Sequence, residues 1–177
     1  MATPDWAQTI AYWLHMIATV VWIGGLAAMI MLVTPMGRSH LDEEGAAKLQ
    51  FKSLQRLESL IWFCIIVLVG NGMLQMNTHF NFQGFLEIGN RWSTAILIKH
   101  LVFLVMVLLS AYLSWGLTPK LDRIILLNSH KRSPNGDRVD GSHLESTRIS
   151  RRITILLTIN LVLGICVLGL TAVARIS

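Results

Sequence analysis

The chain has 177 residues, of which 53% are hydrophobic and only 14% are charged. A soluble domain carries about 25% charged residues, so this composition excludes an ordinary soluble protein. The formal net charge of +5 does not indicate nucleic acid as a partner, because most of the basic residues lie in two segments between apolar runs.

Four apolar runs organise the chain, and each has the roughly 20 residues needed to cross a hydrocarbon core of about 30 Å. The runs lie near residues 6–33, 57–76, 92–117 and 153–174. They predict an all-α fold, a single integral membrane four-helix bundle over residues 1–177 in contact with the lipid bilayer. Segments 34–56 and 118–152 are predicted to be cytoplasmic loops, with an amphipathic cytoplasmic helix before the second membrane helix.

The distribution of charge predicts how the bundle is oriented. Twelve of the 15 Lys and Arg residues lie in segments 34–56 and 118–152, whereas Arg91 and Arg175 lie on the opposite side. The positive-inside rule therefore places both basic segments in the cytoplasm and both termini outside. The predicted location is the inner (plasma) membrane, crossed several times, with the N- and C-termini on the periplasmic side.

The first apolar run contains an ionisable residue, His15, in the stretch Trp13-Leu-His-Met-Ile-Ala-Thr-Val-Val-Trp-Ile-Gly-Gly25. A histidine in such a run faces a protein interior or a bound group, because an unpaired polar side chain in hydrocarbon is costly. Thr19 and Trp22 follow His15 by four and seven residues, so they share its helix face and are candidates for lining the same pocket. Further along this helix, Gly24 and Ala28 form a small-xxx-small pair that predicts close approach of a neighbouring helix.

The second run ends in a polar segment that carries methionine and histidine. Met73, Met76 and His79 are spaced three apart and share one side of a helix that continues that far. Thioether and imidazole groups suit Cu(I), so these three residues, together with Met16, form a candidate copper pathway. Gap-filling methionines in an apolar core are the alternative interpretation.

The third run holds Lys99 and His100. His100 lies nine residues after Arg91, and His15 lies ten residues after Asp5, each on a helix predicted to run inward. At about 1.5 Å per residue, both histidines lie roughly 13 to 15 Å from their outer flanking charges, in the same layer of the bundle.

Two histidines at matching depth predict axial ligation of a haem b iron by His15 and His100. In this interpretation Lys99 or Arg91 pairs with a propionate, and the protein transfers electrons or is a subunit of a larger redox complex. Copper transport or handling is the alternative. A cofactor-free structural accessory subunit, whose histidines only join helices, is the third possibility. Other membrane subunits or further copies of the chain are expected partners, and Asn160 in the fourth run is expected to bond a neighbouring helix.

Three segments resemble a known family. His15-Met-Ile-Ala-Thr-Val-Val-Trp22-Ile-Gly-Gly25 looks like the first-helix signature of the copper resistance D (CopD-like) membrane family. Lys99 followed by Pro119-Lys120-Leu121 is similar to its third-helix pattern, and Asn160-Leu-Val-Leu-Gly164 resembles its last helix. The resemblance implies a four-helix membrane unit with a role in copper uptake or handling.

A more distant resemblance is to the HemJ-type protoporphyrinogen oxidases, which are four-helix haem b proteins. Their essential first-helix histidine and third-helix lysine correspond to His15 and Lys99. The chain lacks the Leu-Pro-Arg segment after the first-helix glycines and the Asn-Glu pair near the start of the last helix. Haem binding is therefore the implied property, and no independent enzyme activity is expected.

Overall fold

The computed structural model describes residues 4–77, 91–130 and 140–176, which are almost entirely helical and contain no strand. The α-helices, in chain order, are α1 (Asp5–Ala28), α2 (Thr34–His40), α3 (Glu43–Asn77), α4 (Arg91–Tyr112), α5 (Thr118–His130) and α6 (Asp140–Ile176). Two short π-helical segments, Met29–Val33 and Leu113–Leu117, join α1 to α2 and α4 to α5.

Within the described residues, four stretches of helix are long and apolar enough to cross a membrane. They are Asp5–Met36, Gly45–Met73, Ile96–Leu127 and Glu145–Ala172. Many of their largest apolar side chains point outward, including Trp115 at 75% and Met31 at 72% exposure. Such a surface is stable in lipid and not in water, so the protein is a multi-pass, all-α membrane protein, as the composition predicts.

The helices run further than the apolar runs that predict them. α3 begins at Glu43, so the amphipathic segment and the second membrane helix form one continuous helix. α6 likewise begins at Asp140, well before the apolar run near residue 153. Hydropathy marks where a helix enters hydrocarbon, whereas its backbone hydrogen bonds continue into water. Much of segments 34–56 and 118–152 is accordingly helical.

Each π-helical segment is followed by a threonine and a proline. Proline has no backbone N–H to donate, and the wider π turn accommodates this loss without ending the helix. The backbone N–H of Thr34 bonds the Met29 carbonyl, and its hydroxyl donates to the same oxygen at 3.0 Å. Thr118 repeats both bonds with the Leu113 carbonyl, also at 3.0 Å from its hydroxyl.

The chain divides into two compact units, each with its own core. The first unit comprises the described parts of Met1–Gly24, Leu60–Val107 and Val162–Ser177. In its core, Trp22 meets Phe103 edge to face, with ring centroids 5.7 Å apart. A Cβ built on Gly164 would lie 3.2 Å from Ile23 Cγ1 and 3.4 Å from Met106 Cε, so glycine lets these side chains approach the helix backbone.

The second unit comprises Gly25–Ser59 and Leu108–Leu161. Leu54, Leu121, Ile153 and Leu157 are almost completely buried there. Buried polar groups join its helices. Asn160 Nδ2 donates to Ser110 Oγ at 3.0 Å, which confirms the expected interhelical role of Asn160.

Candidate functional site

His15 lies on α1 in the first unit and is partly buried. Its Nδ1 atom is completely buried and has no hydrogen-bond partner among the residues that the structure describes. A buried polar nitrogen without a partner is costly in an apolar surrounding, and such an atom is a natural position for a bound group.

Lys99 and His100 lie on α4 in the same unit, and both are electrostatic neighbours of His15. The structure thus brings together the three ionisable residues that the sequence analysis selects. The ring of His100 is oriented by its own helix, since Nδ1 lies 2.7 Å from the carbonyl oxygen of Ile96. A carbonyl can only accept, so Nδ1 carries a proton and the lone pair of the neutral ring is on Nε2.

Trp22 and Thr19 differ in whether their polar groups are available to a ligand near His15. Trp22 is only 2% exposed, and its indole nitrogen has no hydrogen-bond partner in the described part of the chain. The hydroxyl of Thr19 donates to the backbone carbonyl of His15 at 2.8 Å, so it is committed to the helix. Phe103, which packs edge to face on Trp22, was not selected from the sequence, although it follows Lys99 by one helical turn.

The remaining candidates are only partly described. Arg91 begins α4, but its side chain is not among those described. α3 continues to Asn77, so Met73 and Met76 are on one helix, and Met73 is 54% exposed. The side chain of Met76 and the whole of His79 fall outside the described residues, and Met16 is 44% exposed.

Within residues 4–77, 91–130 and 140–176, no group of three or more His, Cys, Asp and Glu side chains is arranged to hold a metal. His15 and His100 are the two imidazoles that the described part of the first unit offers to a metal. Two imidazole nitrogens suit copper and can equally bind haem iron from its two sides.

A polar cluster that the sequence analysis missed lies in the second unit. Glu58 on α3 accepts hydrogen bonds from the hydroxyls of Thr118 and Ser114, and its contact with Thr118 measures 2.5 Å. Two features could have indicated this cluster: a carboxylate at the edge of an apolar run, and the Thr-Pro pair on another helix. It lies in a different unit from His15.

Comparison with known proteins gives one result. A family model described as Copper resistance protein D matches residues 51–174, well over half of the chain. The matched range contains Lys99 and His100, whereas His15 lies before it. No curated protein and no solved structure matches the chain.

Proposed function

The chain belongs to the copper resistance protein D family, and from that premise we propose that it handles copper within the membrane, binding Cu(I) through the imidazoles of His15 and His100. The family favours copper handling over the haem protein that the paired histidines first suggested. The two copper-binding residues are proposed from the positions of the histidines in the first unit.

The orientation of the two imidazoles is the observation that carries the proposal. Metal-binding histidines typically donate one ring N–H to a carbonyl or carboxylate, which leaves the other nitrogen as the ligand. His100 has this arrangement, with Nδ1 donating to the Ile96 carbonyl at 2.7 Å. His15 complements it with a buried Nδ1 that lacks a hydrogen-bond partner in the described chain.

Copper titration of the detergent-purified protein tests the proposal. Cu(I) is competed against a chromophoric chelator for the unaltered protein, His15→Ala, His100→Ala and His40→Ala. His40 ends α2 and is exposed outside the membrane spans, so its variant is the matched control. We expect His15→Ala and His100→Ala each to weaken binding by more than about tenfold, the scale on which changes around a metal site affect affinity. Equal affinities for all four proteins would contradict the proposal.

A bis-histidine haem b protein that transfers electrons is the second candidate. It is favoured by the position of Lys99, a cation beside His15 that would pair with a haem propionate. His15 and His100 would hold the iron, and the bound haem would supply one-electron chemistry.

The visible spectrum of the same preparations distinguishes the two candidates. A Soret band that loses its low-spin character in His100→Ala, together with no effect of either histidine on copper affinity, would favour haem. Absence of a Soret band after haem supplementation would remove that candidate. A protein that binds neither group and copurifies with a membrane complex would be the structural accessory subunit.

A further inference from the structure

A carboxyl group that plays no part in the proposed copper site lies inside a membrane span. Glu58 is half-buried within the span Gly45–Met73, and it is the last charged residue of α3, since none of residues 59–77 is charged. Residues two apart on a helix do not face each other, so the exposed Arg56 does not neutralise Glu58. An ionisable side chain at such a position is a candidate functional group.

Two hydroxyls of another helix bind this carboxyl group. Ser114 belongs to the π-helical segment Leu113–Leu117, and Thr118 directly follows that segment. The Thr118 hydroxyl lies 2.5 Å from Glu58 Oε1, and the Ser114 hydroxyl also bonds the carboxyl group. Thr118 is only 5% exposed, so its hydroxyl has little access to water and depends on protein partners.

The number of protons in this cluster indicates the state of Glu58. Thr118 Oγ1 lies 3.0 Å from the Leu113 carbonyl oxygen as well as 2.5 Å from Glu58. A hydroxyl has one proton, so beside an ionised carboxylate only one of these two contacts can be a hydrogen bond. A protonated Glu58 supplies the second proton, because it donates to Thr118 while Thr118 donates to the Leu113 carbonyl. Both contacts are then hydrogen bonds.

The cluster also accommodates the loss of that proton. The Thr118 hydroxyl can then donate to the carboxylate, while the Leu113 carbonyl retains the backbone N–H of Thr118 as its donor. Neither acceptor is left without a donor in either state, so neither state incurs the cost of an unsatisfied buried group. The proton can therefore leave and return by rotation of one hydroxyl, without movement of the helices.

Charged groups of the surrounding helices do not determine this arrangement. Residues 25–33, which contact α3 through Gly25, contain no ionisable side chain. The ionisable side chains nearest to the cluster along α4 and α5, and nearest to the apolar run of α6, are Tyr112, Lys120, Asp122, Arg151 and Arg152. Of these, Asp122 is half-buried and the others are exposed. In the described part of the chain the Glu58 carboxyl interacts with the two hydroxyls and with none of these groups.

We propose that Glu58, Thr118 and Ser114 form a proton-binding site within the membrane, with the exchangeable proton on the carboxyl group of Glu58. The Thr118 hydroxyl accepts from the protonated carboxyl group and donates to the ionised one, whereas Ser114 donates in both states. Carboxyl groups inside membrane spans serve as proton relays in transport proteins. The ligand is a proton, so the test of this site does not depend on copper binding or on the proposed function.

Infrared spectroscopy tests the proposal, because the C=O stretch of a carboxylic acid is separate from that of a carboxylate. The unaltered protein, Glu58→Gln and Asp42→Asn are compared at neutral pH in a detergent without carbonyl groups, and are then titrated to alkaline pH. Asp42 is exposed just before α3, so its variant is the matched control.

We expect a carboxylic acid band at neutral pH in the unaltered protein and in Asp42→Asn, and its loss in Glu58→Gln. The band should shift in D2O and disappear as the pH is raised, because the proton is exchangeable. A neutral-pH spectrum without an acid band would overturn the proposal, and so would a band that Glu58→Gln retains.

Thr118→Val covers the case in which Glu58→Gln does not fold, and it also tests the partner of the proton. The carboxyl O–H loses its acceptor in this variant, so the acid band should remain but move to another frequency. Thr34→Val is the matched control, because Thr34 makes the same hydroxyl bond in the other π-helical segment, and it should leave the band unchanged. A band that Thr118→Val leaves at its original frequency would overturn the assignment of the proton to the contact between Glu58 and Thr118.

Discussion

Several hydroxyl and imidazole groups in the membrane spans donate hydrogen bonds to backbone carbonyls of their own helix. Thr19, Thr158 and His100 each bond the carbonyl four residues earlier, at 2.8, 2.9 and 2.7 Å. This satisfies a polar side chain in an apolar medium without any partner helix. His15 differs, because the hydrogen-bonding capacity of its buried Nδ1 is unused within the described residues. Of His15 and His100, His15 is therefore the one whose ring keeps hydrogen-bonding capacity on a buried nitrogen for a ligand.

Glycine substitutions measure how closely the first two membrane helices approach. A Cβ built on Gly25 would lie 2.6 Å from Leu57 Cδ1, whereas one on Gly24 meets nothing within 4 Å. We expect Gly25→Ala to lower the free energy of unfolding by about 1 kcal/mol, the low end of overpacking costs, because only the end of the Leu57 side chain has to move. Gly24→Ala, the adjacent control, should change it by less than about 0.5 kcal/mol. Thermal unfolding in detergent measures both, and equal effects would contradict the close contact.

The same pair of glycines shows what sequence spacing can predict at this scale. The small-xxx-small pattern predicted close approach at Gly24, and the structure has it at Gly25. The spacing identifies a helix that a neighbour can approach, but adjacent residues differ by about 100° around the axis, and only packing selects between them. His15 and Lys99 were easier to select, because an ionisable residue in an apolar run is conspicuous wherever it points.

The π-helical segments could not be predicted from hydropathy, because all ten of their residues belong to apolar runs. A π turn adds one residue to a helical turn without changing how apolar the segment is, so the hydropathy of the run does not reveal it. The signal that was present is the Thr-Pro pair, which occurs at the end of both segments. The first apolar run ends just before Thr34 and Pro35, whereas the helical backbone continues through them into α2.

Thr34 and Thr118 both bond the carbonyl five residues earlier, and Thr118 also bonds Glu58. Substituting each threonine separates the two contributions to stability. Thr34→Val and Thr118→Val each lose the hydroxyl bond to the carbonyl five residues earlier, a bond of about 0.6 kcal/mol on the scale of interhelical bonds in membranes. Thr118 also contacts Glu58, so its loss leaves a partly buried carboxyl group with fewer partners. We expect Thr118→Val to lower the thermal midpoint more than Thr34→Val. Indistinguishable midpoints would show that the Glu58 contact adds no stability.

Glu58 offers a sharper prediction about hydrogen-bond donors. The hydroxyl of Thr118 lies 2.5 Å from a Glu58 oxygen and 3.0 Å from the Leu113 carbonyl, and its single proton cannot serve both acceptors fully. A hydrogen-bond donor at position 58 would supply the missing proton between the Thr118 hydroxyl and residue 58, and the amide of glutamine is such a donor. Glu58→Gln should therefore keep the thermal midpoint, whereas Glu58→Leu should lose about 1–3 kcal/mol, because the Ser114 hydroxyl loses its acceptor and the Thr118 hydroxyl keeps only the Leu113 carbonyl. A Glu58→Gln loss as large as that of Glu58→Leu would contradict this arrangement.

At the scale of the whole molecule, the fold class could be predicted because a bilayer permits few types of secondary structure to cross it. Backbone groups in hydrocarbon must be satisfied internally, so four apolar runs become four helices. The described residues contain four helices that can span a membrane, and the match of the family model confirms the CopD-like resemblance. Helix lengths could not be predicted as well, since α3 and α6 extend beyond their apolar runs through segments whose charge says little about helix formation.

Orientation in the membrane remains a prediction, and it rests on charge. Moving the two basic segments, with twelve of the 15 Lys and Arg residues, across the membrane would oppose the positive-inside bias. Single cysteines in a Cys64→Ala/Cys166→Ala background test this in intact cells with a membrane-impermeant thiol reagent. Trp6→Cys, near the start of α1 and 68% exposed, should be labelled before lysis. Arg123→Cys, exposed on α5 in the second basic segment, should be labelled only after the membrane is opened. The opposite pattern would reverse the topology and place the His15 region toward the cytoplasm.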